Sequence, residues 1–210
     1  MKKLHGISPI VTFIRVAVIA LPLWGLAGIS HAQINTDRMM NIGRNALAYD
    51  DYVLSISYFN LVINYKPHLY EPYFYRGVAK FYLDDYSGAA LDCTQAIQRN
   101  PYFPNTYELR GLAYINMNRF PDAIRDYRTV TDMLPENRSL WHNLALCYIE
   151  TDSLDQADSI TDIIIRRWAK QADGYTLKAQ VFLQRNDTAA AETYIDKAIE
   201  ADKYNIGAHT

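Results

Sequence analysis

Apolar side chains recur along most of this chain at the spacing of one face of an α-helix. From residue 36 onwards, short amphipathic segments follow one another, separated by polar turns. In the first of them, Met39, Ile42, Gly43 and Ala46 stand at i, i+3, i+4 and i+7, which places them on one side of a helix. No stretch with the two-residue alternation of a β-strand lies outside this scheme. The pattern therefore predicts an all-α protein built from paired helices.

The paired segments recur with a period of 34 residues. A small residue falls at one fixed place in every first segment: Gly43, Gly77, Gly111, Ala145 and Ala179. A fixed period of this length is typical of repeat proteins, in which each helix pair buries its apolar face only against its neighbours. The sequence predicts five units, at residues 36–69, 70–103, 104–137, 138–171 and 172–205. Places within a unit are counted from its first residue, so Gly43 holds the eighth place.

Large and small residues alternate within each unit for a packing reason. Glycine or alanine at the eighth place faces a small residue at the twentieth place, as Gly77 faces Ala89 in the second unit. We expect the two helix backbones to approach closely there. Aromatic residues at the fourth, eleventh and twenty-fourth places are expected to fill the space where the helices diverge.

The unit resembles the tetratricopeptide repeat, whose signature reads aromatic, Leu, Gly, Tyr, Ala, Phe, Ala and Pro at fixed places. The third unit carries much of that signature, with Tyr107, Gly111, Tyr114, Ala123, Tyr127 and Pro135. Departures are mild: Ala46 and Lys80 replace the bulky eleventh residue, and Thr161 replaces an aromatic residue. The resemblance covers residues 36–205 and implies a right-handed α-solenoid of five helix-turn-helix repeats.

Residues 1–32 have the pattern of a secretory signal peptide. Lys2, Lys3 and Arg15 precede an apolar run, and small residues end the segment at Ala32. The alternative is an uncleaved membrane anchor, but the run is shorter than the roughly 20 residues that span a bilayer. We expect cleavage after Ala32 and a periplasmic or secreted protein without a membrane span. Residues 33–205 would then form the repeat domain and residues 206–210 a C-terminal tail.

Charge and cysteine content narrow the class of partner. The net charge is −2, and it becomes −5 without the basic segment 1–32, which contains no acid. No basic run is present, so a nucleic acid is not an expected partner.

The two cysteines, Cys93 and Cys147, lie in different repeats with a whole unit between them. Bridged cysteines need Cα atoms within about 7 Å, so we expect two buried thiols rather than a disulfide.

The sequence contains no recognisable catalytic motif. It has no HExxH, GxSxG, CxxC or glycine-rich phosphate loop. Asp84 and Asp85 could act as acid and base, but aspartates are also favoured in turns, where we expect these two. His142 has no second ligand at i+4 and is expected to line a groove or face solvent. We therefore predict no enzyme activity, no catalytic or metal-binding residue and no cofactor.

The resemblance implies a binding surface on the concave side of the stack. In the family, the exposed places of the first helices are the second, fifth, ninth, twelfth and thirteenth. These places give the candidate partner-binding residues Arg44, Glu71, Phe74, Val78, Phe81, Tyr82, Glu108, Leu112, Ile115, His142 and Leu146. Family members that grip the C-terminal carboxylate of heat-shock chaperones use Lys and Asn at the fifth and ninth places. Phe74 and Val78 stand at those places here, so that clamp is not expected.

The candidate groove predicts a protein partner. Its middle is apolar and aromatic, which favours an extended or helical segment with aliphatic, aromatic and some basic side chains. The alternative is that Val78, Phe81, Leu112 and Ile115 serve only intrarepeat packing. By analogy with the family, we expect an adaptor or scaffold of the cell envelope. The alternative function is a regulatory or peripheral subunit of an envelope enzyme complex, such as a peptidoglycan-processing, glycan-processing or secretion complex.

The C-terminal end is a second expected contact surface. Terminal repeats normally need a polar cap. In the last unit, Phe182, Tyr194 and Ile199 are expected to be partly uncovered. We therefore expect this end to dock a partner or a second copy of the chain.

Overall fold

The computed structural model describes residues 35–207, with side chains as far as Lys203. Within that range there are ten α-helices and no strand. They are α1 (Thr36–Ala48), α2 (Tyr52–Tyr65), α3 (Glu71–Tyr82), α4 (Tyr86–Arg99), α5 (Pro104–Asn116), α6 (Phe120–Met133), α7 (Arg138–Glu150), α8 (Leu154–Arg167), α9 (Ala172–Gln184) and α10 (Thr188–Gly207). The predicted signal peptide, residues 1–32, lies outside the described residues. Helix α10 continues to Gly207, past the predicted end of the fifth repeat.

The helices stack in pairs, two for each 34-residue unit. Each helix packs on the next one along the chain, and first helices of neighbouring repeats also touch, as α1 touches α3 and α7 touches α9. The odd-numbered helices therefore form an inner layer and the even-numbered helices an outer layer. This arrangement confirms the predicted all-α solenoid.

The buried core lies between repeats as well as within them. One cluster joins Tyr127 and Val130 of the third repeat to Leu140, Leu144 and Cys147 of the fourth. A second cluster joins Ile149 and Ile164 of the fourth repeat to Leu177 and Val181 of the fifth. Each repeat thus completes the core of the one before it, as expected for a solenoid.

The turn inside every repeat uses the same backbone conformation. The fifteenth place has a positive φ, between 54° and 60°, in all five repeats, and it is held by Asp50, Asp84, Asn118, Asp152 and Asn186. Asp and Asn tolerate this left-handed conformation better than other side chains that carry a Cβ. The period of the sequence is therefore visible in the backbone as well.

Asp84 and Asp85 are turn residues. The Asp84 carboxylate accepts a hydrogen bond of 2.6 Å from the Tyr86 hydroxyl. Asp85 caps α4, because its carboxylate accepts a bond of 2.8 Å from the Gly88 amide. Both side chains have local structural partners, as expected for a turn.

In the first and third repeats, glycine at the eighth place is required by the aromatic residue at the twenty-fourth place. A Cβ atom at Gly43 would lie 2.8 Å from the ring of Phe59, and one at Gly111 would lie 2.9 Å from the ring of Tyr127. At Gly77 the nearest atom would be the Ala89 carbonyl oxygen, at an ordinary 3.4 Å. Our explanation from the twentieth place is therefore wrong for Gly43 and Gly111, where an aromatic ring occupies the space.

This contrast predicts opposite effects for two identical substitutions. Gly111→Ala should lower the free energy of unfolding by about 1–3 kcal/mol, because the fully buried Tyr127 ring must shift. Gly77→Ala should be neutral or raise it by up to about 1 kcal/mol, because alanine favours the helix and finds room. Urea denaturation of both variants would test the prediction. Equal destabilisation by the two substitutions would contradict it.

The two cysteines are free and buried. Burial raises the pKa of the Cys147 thiol to about 12 and also raises that of Cys93. Thiols with raised pKa values are poor nucleophiles, since the reactive form is the thiolate. Both cysteines act as small core residues, as predicted.

Candidate partner-binding groove

The inner helices present three distinct sides. At about 100° per residue, the second, fifth, ninth, twelfth and thirteenth places share one side of a helix, and the fourth, seventh and eleventh places lie opposite. The third, sixth and tenth places face the preceding repeat: Tyr75, at the sixth place, stacks on Phe59 of the first repeat at 5.7 Å. The candidate groove residues therefore lie on the side away from the outer helices.

All eleven candidate groove residues keep some accessible surface. Arg44 and Tyr82 are exposed, and the other nine are half-buried. Phe81 and Ile115 also pack against buried clusters. These two residues serve the core and the groove surface together.

Aromatic rings form the second-repeat part of the groove. Phe74 meets the ring of Phe103 edge-on, with centroids 5.0 Å apart. Tyr82 stacks almost parallel on Tyr52 at 5.2 Å, and yet 61% of its surface is exposed. Phe74 is thus held in place by its neighbours, and Tyr82 offers a fixed, accessible platform of the kind common at interfaces.

A cavity of ≈ 330 Å³ lies at the N-terminal end of this surface. It brings Arg44 of α1 together with Glu71 of α3, and Met40 and Lys66 contribute to its lining. The Oε2 atom of Glu71 is buried and has no hydrogen-bond partner among the described residues. Leaving a carboxylate oxygen unsatisfied is costly, so this atom is suited to accept a bond from a ligand donor.

Glu108 is the second acid of the groove without a partner. It is half-buried on α5 and makes no ion pair or hydrogen bond within residues 35–207. Burial raises the pKa of its carboxyl. A basic group placed nearby would therefore relieve an unfavourable desolvated charge.

Farther along the groove, the acidic charge is neutralised. Asp173 accepts a bond of 2.6 Å from Arg138, and the Nδ1 atom of His142 lies 3.8 Å from its other oxygen. His142 therefore lies beside an ion pair that joins the fourth and fifth repeats. In the part of the chain that the structure describes, no group of three or more His, Cys, Asp or Glu side chains could hold a metal ion.

The outer layer contains a cleft that the sequence analysis missed. It has a volume of ≈ 620 Å³ and lies over α7, between α6 and α8. Trp141, Leu144, Tyr148 and Ile160 form its apolar part, and Arg128 and Asp132 lie at its edge. The residues of α7 that line it hold the fourth, seventh and eleventh places, opposite the groove.

The cleft coincides with a change in a repeated ion pair. In the third repeat, Arg110 donates two bonds to Asp126, at 2.8 and 2.6 Å, and one of 3.0 Å to Thr94 of the second repeat. The second repeat has the same arrangement, with Arg76, Asp92 and Asn60. In the fourth repeat, Leu144 and Ile160 hold the places of the ion pair, and Arg128 of the third repeat holds the place of Thr94. The change from charged to apolar residues at the seventh and twenty-third places is the feature of the sequence that could have indicated this difference.

Comparison with known proteins identifies the repeat. Models of the tetratricopeptide repeat match residues 108–158 and 172–205. The chain is 30% identical over 130 residues to human anaphase-promoting complex subunit 7, which covers 61% of this chain and 23% of that protein. It is 29% identical over 97 residues to a DnaJ homolog subfamily C member 7 homolog of Dictyostelium discoideum, over 46% and 17% of the two chains. The chain thus spans about a quarter or less of the length of these curated relatives.

Solved structures share the fold at low sequence identity. A crystal structure of MamA superposes with a TM-score of 0.77 and 16% identity, covering 82% of this chain and 94% of that one. YrrB, described as a TPR protein with an unusual peptide-binding site, gives a TM-score of 0.75 and 12% identity, with 84% and 91% coverage. At these identities the likeness concerns the fold alone. None of the helices between residues 35 and 207 has the length and apolar character needed to cross a membrane.

Proposed function

The chain is a tetratricopeptide-repeat protein, and we propose that it is a non-enzymatic adaptor which holds a segment of a partner protein in its concave groove. The observation that carries the proposal is the pairing of accessible aromatic surface with unpartnered acid. Phe74 and Tyr82 offer rigid apolar contacts, and Glu71 and Glu108 lack partners among the described residues. Such a surface fits a segment with apolar anchors and basic residues between them.

The similar proteins support this proposal in general terms. YrrB is described as having a peptide-binding site, and one curated relative is a subunit of a multiprotein complex. Both descriptions are compatible with a role in protein contacts. The residues that bind a partner are proposed from the groove of this chain alone.

Charge reversal in the groove tests the electrostatic part of the proposal. The test is a crosslinking pull-down from the native envelope fraction. The amount of partner recovered with the Glu71→Lys, Glu108→Lys double variant should be lower than with the unmodified chain by a factor of about ten or more. A basic segment would then face two added cations and lose two carboxylates. Asp132→Lys, at an exposed acid of the outer layer, provides the control. Equal recovery with both variants would contradict a basic segment in the groove.

The low-pH behaviour of binding follows from Glu108. Its raised pKa means that it becomes protonated at a higher pH than an ordinary glutamate. Attraction to a basic partner should therefore be present above that pKa and be lost as the pH falls through it. Partner recovery measured between about pH 7 and pH 4, with Glu108→Gln as control, tests this. The Gln variant should lose most of the pH dependence, and an unchanged dependence would exclude Glu108 as its source.

The location of the protein is a further part of the proposal. The basic start, apolar run and small residues before Gln33 support export with cleavage after Ala32. An exported adaptor would serve envelope assembly, secretion or the handling of exported proteins. N-terminal sequencing of the protein from a periplasmic fraction should begin at Gln33. Recovery of the protein in the cytoplasm with its first 32 residues attached would contradict export.

A further inference from the structure

The last repeat ends in a partly exposed apolar face. In every earlier repeat, the corresponding face is covered by the next repeat. Its exposed residues are Leu183, Ile195 and Ile199, at the twelfth, twenty-fourth and twenty-eighth places, with exposures of 49%, 42% and 50%. The twenty-fourth place is fully buried in each of the first four repeats, as in Phe59 and Tyr127. We call these three residues, together with Glu192 and Asp196, the C-terminal face.

The junction between the fourth and fifth repeats shows what such a face accepts. Helix α9 places Gly174 against Ile164 and Ile165 of α8, so tightly that a Cβ atom at Gly174 would lie 2.8 Å from Ile164. Leu177 and Val181 then bury themselves against the fourth repeat. A small residue, followed by apolar residues three and seven positions later, therefore fits this kind of face.

A buried cation completes the same junction. Lys178 has its ammonium 2.5 Å from Asp158 and 2.8 Å from Asp162, at the twenty-first and twenty-fifth places of the fourth repeat. Burial would lower the pKa of Lys178, but the bonds to the two aspartates outweigh it and raise the pKa. The cation stands one residue after Leu177, beside the apolar row of α9.

The C-terminal face repeats these acids without a cation. Glu192 and Asp196 hold the twenty-first and twenty-fifth places of the fifth repeat, both are exposed, and neither has an ion-pair partner within the described residues. The acids thus occur at the same places as in the fourth repeat, and Leu183 and Ile199 hold the places of Ile149 and Ile165. The fifth repeat differs at two places, where Ile195 and Ala198 replace Thr161 and Ile164, but within the described residues its acids and Leu183, Ile195 and Ile199 remain exposed.

We propose that the C-terminal face binds an amphipathic helix of a partner protein that carries a small residue, apolar residues three and seven positions later, and a lysine or arginine four positions later. The opposite end of this chain does not match that pattern. The third, sixth and tenth places of α1 are held by Arg38, Asn41 and Asn45, all polar and exposed, and the seventh place by Ile42. The residues therefore favour a different protein over end-to-end stacking of two copies.

A tethered helix tests this recognition directly. The full chain is extended by a Gly/Ser linker of about 10 residues and a second copy of residues 172–184, so that the local concentration of the helix is high. The added helix should raise Tm by about 4 °C or more over the chain with the linker alone. Replacing the lysine of the added helix by glutamate should abolish this increase in Tm. Combining that replacement with Glu192→Lys and Asp196→Lys in the chain should restore the increase. Ile199→Ser should also abolish it, and Leu91→Ala, at an exposed leucine of α4, should not.

Three results would overturn the proposal. The first is an unchanged Tm in the extended chain, and the second is an increase that survives both the Glu replacement and Ile199→Ser. The third is concentration-dependent association of the unextended chain in sedimentation that Ile199→Ser abolishes, which would assign the face to a second copy. None of these measurements involves the concave groove. A result that overturns the proposal for the C-terminal face would therefore not contradict the proposed adaptor function.

Discussion

Asp126→Ala is expected to lower the free energy of unfolding by about 3–5 kcal/mol, the cost typical of breaking a buried ion pair. Asp126 is buried, with 3% of its surface exposed, and it accepts two bonds from Arg110. Removing the carboxylate leaves the guanidinium in a desolvated site with only its bond to Thr94. The cost should therefore come from the uncompensated charge of Arg110 more than from the lost contact itself.

The chain supplies its own control for this prediction. At the places of Arg110 and Asp126, the fourth repeat carries Leu144 and Ile160, which pack in an apolar environment. The double variant Arg110→Leu, Asp126→Ile should therefore be much more stable than Asp126→Ala, because no charge remains buried. Urea denaturation of the three proteins decides the matter. A double variant as unstable as Asp126→Ala would show that the ion pair itself provides the stability.

The second large effect concerns partner binding. Tyr82→Ala and Phe74→Ala should each weaken binding by about 2 kcal/mol, or roughly 30-fold, if these rings act as interface hot spots. Tyr82 is expected to have little effect on folding, since most of its surface is exposed. Phe74 contacts Phe103 and Tyr75, so its removal should also cost some stability.

Stability and binding can be separated with a matched surface variant. Leu91 on α4 is 67% exposed in the outer layer, and Leu91→Ala should leave partner recovery unchanged. Circular dichroism at the temperature of the pull-down would show whether the Phe74→Ala protein is folded. Folded groove variants that recover as much partner as Leu91→Ala would place the binding surface elsewhere.

The fold could be predicted from the sequence because the same pattern of residues occurs in five successive repeats. The turn residues Asp50, Asp84, Asn118, Asp152 and Asn186 stand 34 residues apart and all adopt a positive φ. A local signal repeated in this way reports the local backbone directly. The stacking of the helices then follows from the short turns and the need to cover apolar faces.

Features that depend on contacts between particular side chains were harder to predict. The sequence alone treated Gly77 and Gly111 alike, but only Gly111 faces an aromatic ring in the folded protein. The outer cleft near Leu144 arises where an ion pair seen in two repeats is replaced by apolar residues. The repeat period and the composition do not specify such pairings. The two residues of the ion pair, such as Arg110 and Asp126, stand 16 positions apart, and both places must be read together in each repeat to find where the pair is replaced.

The candidate groove was reached through the family resemblance rather than through chemistry in the sequence. The structure leaves its residues accessible and adds information that the sequence lacked. Glu71 and Glu108 remain without partners among the described residues, whereas Asp173 is neutralised by Arg138. Charge pairing of this kind depends on the exact approach of neighbouring inner helices.

Site-specific photo-crosslinking in the native cell tests the central proposal most directly. A photoreactive phenylalanine derivative is placed at Tyr82 in the groove and, in a separate protein, at Leu91 in the outer layer. The adaptor function predicts a discrete crosslinked partner at Tyr82 and none at Leu91, with the crosslink reduced by Glu71→Lys and Glu108→Lys. Crosslinking of the same partner at Leu91 but not at Tyr82 would contradict it.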